Sequence, residues 1–186
     1  FDRQGNEVLI TNPDNSQVKY IYNVAGLIEA VQRKEAADAG FYDVVSNFDY
    51  SPAEQTAVIE YANGTATTNT YDSAHLYRLS NKVTIIGSSV RAQDLTFAYD
   101  NVGNITQITD ASNTDTAKIA NYIYDDLYRL TQAVITNPAS GQSAYTHIYT
   151  YDAIGNILTR TDTAGAFSYN GSTGESYANP HAVTSI

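Results

Sequence analysis

Cysteine, methionine and tryptophan are absent from this chain, and its 10 lysines and arginines face 20 aspartates and glutamates. Without cysteine there is no disulfide and no thiolate metal site. A formal net charge of −10 removes the basic footprint that nucleic-acid binding needs and opposes docking on anionic lipid. The cations are scattered, and only Arg33 and Lys34 are adjacent. No apolar run of about 18 residues occurs, so no membrane-spanning helix is expected. Signatures of chemistry are also missing. There is no His-Glu-x-x-His, no Gly-x-Ser-x-Gly and no Asp-x-Asp-x-Asp loop, and His75, His147 and His181 are not at metal-ligand spacing. The sequence therefore supports no catalytic, cofactor or metal residue. Gly171-Ser172-Thr173-Gly174 lacks the lysine of a phosphate loop and reads as a surface loop.

What is present is tyrosine, 16 in all, together with abundant Thr, Asn, Ala and Ser. Tyr and Thr suit a half-buried pleated surface, and Asn, Asp and Gly suit the turns between strands. An aromatic residue followed by Asp or Asn recurs at positions 1, 22, 48, 71, 99, 124, 151 and 169, with gaps of 18 (151 to 169) to 28 (71 to 99) residues. The clearest copies are Tyr99-Asp100-Asn101-Val102-Gly103-Asn104 and Tyr151-Asp152-Ala153-Ile154-Gly155-Asn156. Tyr124-Asp125-Asp126-Leu127-Tyr128-Arg129 has Tyr128 in the glycine slot, and Tyr71-Asp72 leads to Tyr77-Arg78 with one extra residue. In the unit at Tyr22, Asn23 replaces Asp. Repeats of this period stack, each unit burying itself against its neighbours.

Each Asp can accept a backbone N–H two residues on, and Gly103 or Gly155 can take the left-handed conformation that closes a short hairpin loop. Turn capping thus explains the carboxylates without a metal. A second set of turns joins the units: Asn12-Pro13-Asp14-Asn15, Asn63-Gly64, a polar loop over 110–115, and Asn137-Pro138-Ala139-Ser140-Gly141. Strand, tight turn, strand, variable turn is an antiparallel β-meander, and the fold class is all-β. The repeat register predicts a strand over 27–31 with Gln32–Gly40 as an insertion. Helix formers crowd 29–37, so strand, helix and loop remain open for that insertion. Tyr50-Ser51-Pro52-Ala53-Glu54 puts Glu54 in the glycine slot and predicts an irregular turn. Bulges are expected after the turns. Aromatics two apart, such as Tyr20 and Tyr22, Phe97 and Tyr99, Tyr122 and Tyr124, or Tyr149 and Tyr151, share a strand face and predict ladders of stacked rings. Ladder packing and a sugar-binding platform are alternative uses of those rings. Asn63-Gly64-Thr65, Asn104-Ile105-Thr106 and Asn170-Gly171-Ser172 match the N-glycosylation pattern, two of them within turn motifs.

These units, with Gly-Asn or Tyr-Arg-Leu-Thr after the turn, resemble the YD-repeat (Rhs-repeat) family across essentially the whole chain. The phrases Tyr61-Ala62-Asn63-Gly64-Thr65 and Pro180-His181-Ala182-Val183-Thr184-Ser185-Ile186 extend the resemblance to bacterial Rhs polymorphic toxins and toxin-complex B and C components. The resemblance implies a hairpin ribbon that curves and spirals into a shell or barrel enclosing a toxic domain. Residues 1–186 are then one array, an arc cut from a longer protein. The family's self-cleaving aspartate site lies after the repeats, so no catalytic residue is carried over. The expected function is structural: a non-enzymatic scaffold around a toxin or other partner polypeptide, exported as part of a larger bacterial protein. The alternative is a secreted or cell-surface array for adhesion or carbohydrate binding. Bare sheet edges would permit self-association. The residues expected to build the repeat are Tyr22, Tyr71, Asp72, Tyr99, Asp100, Gly103, Tyr124, Asp125, Tyr151, Asp152 and Gly155.

Overall fold

Turns placed every few residues leave this chain one economical path, doubling back on itself strand after strand. A computed structural model describes residues 1–112, 116–136, 143–169 and 181–186 and shows that path. The strands are β1 (Leu9–Thr11), β2 (Gln17–Tyr22), β3 (Ile28–Lys34), β4 (Tyr42–Tyr50), β5 (Thr56–Tyr61), β6 (Thr65–Asp72), β7 (Arg78–Ile86), β8 (Val90–Tyr99), β9 (Ile105–Asp110), β10 (Lys118–Tyr124), β11 (Leu130–Thr136), β12 (Tyr145–Tyr151) and β13 (Ile157–Arg160). A 3₁₀ turn, Ser73–His75, is the only helical element among the described residues. The chain divides into a unit over 1–96 and a unit over 97–186, with the boundary inside β8. Within each unit the strands follow chain order and pair antiparallel, so the fold is an all-β meander of hairpins. The loop expected over 137–141, part of that over 110–115, the stretch 171–174 and Asn170 lie outside the described residues.

Two local expectations change. Residues 32–34 continue β3 rather than starting an insertion, because Gln32, Arg33 and Lys34 pair with Lys19, Val18 and Gln17. The insertion shrinks to a turn over 35–40, in which the Glu35 amide donates to Asp38 Oδ2 at 2.9 Å. Ladder pairing on the β2 side, with Ala30 buried, overrides the local helix propensity. The turn after Tyr50 is not irregular. Ser51 occupies the Asp position, its Oγ accepting from the amides of Ala53 and Gln55 at 3.2 Å each. The aromatic that opens this unit at the turn is therefore Tyr50, two residues beyond Phe48.

Among the described residues no conventional core forms. The buried hydrophobic residues are Ala30, Val45 and Ala133, and no large side chain is fully buried among the described residues. Ser16, Thr67, Asp94 and Asn156 are buried as well. Polar pairs join neighbouring strands where a core would otherwise do so. Thr67 and Thr84 hydroxyls lie 2.9 Å apart, and Gln107 Nε2 donates to Asn121 Oδ1 at 2.8 Å. Such cross-strand pairs contribute roughly 0.2–1 kcal/mol each.

The slot before the last residue of each tight turn is left-handed: φ is 88° at Gly5, 82° at Gly26, 106° at Gly103 and 96° at Gly155. Glu54 (φ 60°) and Tyr128 (φ 61°) hold the same slot without being glycine. A left-handed non-glycine residue costs about 1–2 kcal/mol, partly offset by the entropy that glycine loses on folding. Tyr128 is 61% exposed, so its ring contributes little packing. Glu54→Gly and Tyr128→Gly should each stabilise the fold by about 0.5–1 kcal/mol, read from urea unfolding. Gly155→Ala should destabilise it, although an added Cβ meets nothing within 4 Å.

Candidate functional site

Within each unit the aromatic–Asp turns lie along one edge of the meander. Each turn is built the same way. The Asp100 amide donates to the Asn104 carbonyl at 3.0 Å and the Gly103 amide to the Asp100 carbonyl at 3.2 Å. Asp100 Oδ1 accepts from the amides of Val102, Gly103 and Asn104, and Oδ2 accepts from Asn104 Nδ2 at 2.8 Å. Asp152 with Asn156, and Asp2 with Asn6, repeat the pattern. In the Asp125 turn Arg129 takes the asparagine position and its Nε donates to Asp125 Oδ2 at 2.7 Å. Asn23 does the same work uncharged, its Oδ1 accepting from Ala25 and Leu27 amides at 2.9 and 3.1 Å. Asp72 caps the longer turn through the Ala74 amide and His75 Nδ1, at 2.9 and 2.7 Å.

These carboxylates are held below their ordinary value. At Asp2 and Asp125 the leading cause is the backbone N–H four residues on, and at Asp72 it is the His75 side chain. At Asp100 and Asp152 partial burial pushes upward, but the combined donors of Asn104 or Asn156 and the turn amides outweigh it.

The tyrosine before each turn reaches sideways. Tyr124 Oη donates to the Ile105 carbonyl at 2.9 Å, Tyr151 to Leu130 at 2.6 Å and Tyr169 to Ile157 at 2.9 Å. In the first unit Tyr22 donates to Glu7 at 2.9 Å, Tyr50 to Ile28 at 2.6 Å and Tyr71 to Thr56 at 2.9 Å. The acceptors are not arbitrary. Leu130 is the residue paired with Tyr124 across its own turn, and Ile157 is paired with Tyr151. Ile28 is likewise paired with Tyr22, and Thr56 with Tyr50. Each hairpin thus supplies the carbonyl that the next tyrosine grips, giving a rail of latches within each unit. The register shifts by one residue at Tyr22, Tyr50, Tyr71, Tyr124 and Tyr151. A bulge interrupts the regular ladder, and the phenol supplies a donor beside the interruption. Burial raises the Tyr50, Tyr124 and Tyr151 phenols, so they keep the proton they donate.

This arrangement replaces the ring ladder expected from the sequence. The ring contacts described run along strands: Phe48 with Tyr50 at 6.4 Å in β4, and Tyr145–His147–Tyr149 at 4.9 and 6.5 Å in β12. Successive latch tyrosines stand two strands apart, about 10 Å, beyond the 4.5–7 Å of ring contact. The hydroxyl spans the distance that the ring cannot. Tyr99 ends β8 directly before the Asp100 turn. Arg129 adds a second link, with Nη1 donating to the Asp152 carbonyl at 2.9 Å and its guanidinium 4.7 Å from the Tyr151 ring centre. The sequence reading missed Asn6, Asn104, Asn156 and Arg129. Their signal was a side-chain donor four residues after each Asp.

The histidines occupy separate surroundings: His75 beside Asp72, His147 between Tyr145 and Tyr149, and His181 with Nδ1 2.7 Å from Asn156 Oδ1. Among the described residues no group of three His, Asp or Glu side chains could hold a metal. No described helix is long and apolar enough to cross a membrane.

The family model described as the teneurin YD-shell matches residues 28–172. The chain belongs to that family. Among curated proteins, the toxin subunit YenC1 of Yersinia entomophaga is 28% identical over 89% of this chain and 20% of its own length. YenC2 of the same organism is 31% identical over 68% of this chain and 16% of its own. The chain therefore spans about a fifth or less of the relatives it matches. Among solved structures, the Photorhabdus luminescens Tc holotoxin pore superposes with a TM-score of 0.75 at 25% identity, over 86% of this chain and 8% of that one. The crystal structure of TcdB2-TccC3-TEV gives 0.74 at 25% identity, over 86% and 9%. The YD motif of this chain is thus a mechanical joint: Asp fixes the turn, and Tyr fastens it to the preceding hairpin.

Two predictions follow the joint. Tyr124→Phe or Tyr151→Phe keeps the ring and should cost about 1 kcal/mol, since a half-buried carbonyl loses its donor. Equilibrium unfolding checks it. The YD carboxylates have folded values below the ordinary 3.8, so their stabilisation is present above that value and is lost as pH falls through the folded value. The melting temperature should therefore drop below about pH 4, and Asp100→Asn with Asp152→Asn should flatten that drop because Asn23 shows that asparagine can hold the turn.

Proposed function

We propose that this chain is a wall segment of a YD-repeat shell, in a larger exported protein whose shell encloses a toxin polypeptide. The observation that carries the reading is the latch rail. It fastens hairpin to hairpin using only turn and strand-end residues. A wall built this way can extend by adding hairpins, because each new tyrosine needs only the carbonyl of the hairpin before it. The YD-shell match over 28–172 and the likeness to toxin subunits and Tc toxin structures support enclosure over adhesion or carbohydrate binding. The role is scaffolding, with no reaction of its own. The partners are neighbouring stretches of repeat and the enclosed polypeptide, and an edge strand such as β1 is where repeats would add or copies would associate.

A segment exchange tests this. The chain replaces the matching stretch of YenC1, and the chimera is assayed for assembly and for protease resistance of the polypeptide it encloses. The expected result is an assembled subunit with its cargo protected as in the parent. A chimera that folds but leaves the cargo open to protease would contradict the wall assignment.

A further inference from the structure

Along the turn edge of the second unit, the residue four after each Asp meets three different surroundings. Where the Asp125 and Asp152 turns lie side by side, the space over Tyr151 holds the Arg129 guanidinium. It is gripped by Asp125 Oδ2 at 2.7 Å, the Asp152 carbonyl at 2.9 Å and the ring face at 4.7 Å. One turn later the corresponding residue is Asn156, and a basic side chain from a distant segment meets it, His181 Nδ1 lying 2.7 Å from its Oδ1. One turn earlier the corresponding residue is Asn104, which is too short to cross and ties back to Asp100 Oδ2 at 2.8 Å. There the structure has a cleft of about 410 Å³ whose lining includes Asp100, Asn104, Tyr122, Tyr124, Asp125 and Asp126.

We propose that the cleft over Tyr124 is an acceptor site for an arginine side chain presented by another polypeptide segment. The chain itself demonstrates the ligand. Tyr124 stands where Tyr151 stands, Asp100 where Asp125 stands and the Asp125 carbonyl where the Asp152 carbonyl stands, and that neighbouring set binds a guanidinium. The differences favour a cation from outside. Asn104 is a neutral side chain where the neighbouring set has Arg129, and Asp126 adds a further carboxylate to the lining. A guanidinium here gains charge-assisted hydrogen bonds and a ring face together, and its planar fork matches carboxylate and carbonyl acceptors better than an ammonium does. The inference rests on the repeat geometry and holds whether or not the wall encloses a toxin.

The test titrates N-acetyl-arginine amide into the isotopically labelled chain and follows chemical shifts. Its neutral isostere, N-acetyl-citrulline amide, is the control. Saturable shifts confined to Asn104, Thr106, Tyr122, Tyr124 and Asp126 are expected, with citrulline at least about tenfold weaker because it lacks the charge. A peptide carrying the chain's own Tyr-Arg-Leu-Thr sequence forms a second arm. Binding of both ligands shows that any arginine suffices, and preferential binding of the peptide shows that the arginine comes from another repeat. Asn104→Arg should fill the cleft from within, raise the melting temperature and abolish the arginine shifts. Equal binding of citrulline, shifts centred elsewhere, no saturable shift with either arginine ligand, or undiminished binding by folded Asn104→Arg would each overturn the assignment.

Discussion

One hydrogen bond, from a tyrosine hydroxyl to the first carbonyl of the neighbouring post-turn strand, organises the rest of this structure. A single hydrogen bond of this kind contributes only about 1 kcal/mol net. Its force lies in repetition and placement. It sits where a bulge interrupts the ladder, and it joins hairpins alongside their backbone pairing and scattered polar pairs such as Gln107 with Asn121. A sheet without a conventional core cannot rely on buried apolar area, and among the described residues only Ala30, Val45 and Ala133 are buried hydrophobics. Directional polar contacts take that role, and they act in series along the chain.

The aspartate serves the tyrosine. By collecting two or three amides and a side-chain donor, Asp100 or Asp152 fixes the left-handed residue and hence the register shift that positions the next acceptor carbonyl. The pair is therefore coupled through the backbone, although the two side chains point to different tasks. This explains why the motif tolerates Asn23 or Ser51 at the capping position, each of which still accepts two amides. It also explains why the intervening turn tolerates Tyr128 or Glu54, at a cost in backbone strain. The phenol has no such substitute: a phenylalanine would fit the surface and leave the carbonyl without its donor.

Much of this was legible in the sequence. The meander, the capping role of Asp100, Asp125 and Asp152, and the left-handed slots at Gly103 and Gly155 follow from local rules that operate within five residues. The hairpin at Asn63-Gly64 follows in the same way, with φ of 80° at Gly64. The latch was not legible, because it depends on which carbonyl lies across a strand gap. That is a property of register rather than of residue type. The i, i+2 tyrosine spacing suggested stacked rings; strand separation places successive latch rings too far apart for that. The state of residues 32–34 stays open in the sequence for a related reason, since pairing with β2 decides it and local propensity does not. The regularity of the turn at Ser51 is hidden in the sequence by Glu54 in the glycine slot, and by a repeat whose aromatic–Asp pair falls at Phe48, two residues early.

The most direct measurement is the exchange rate of tyrosine hydroxyl protons in cold NMR spectra, with through-space contacts to the strand-start residues. The account predicts slowly exchanging hydroxyl protons at Tyr50, Tyr124 and Tyr151, close to Ile28, Ile105 and Leu130 respectively, against rapid exchange at the exposed Tyr128. Hydroxyl protons at those three positions that exchange as fast as that of Tyr128 would contradict it.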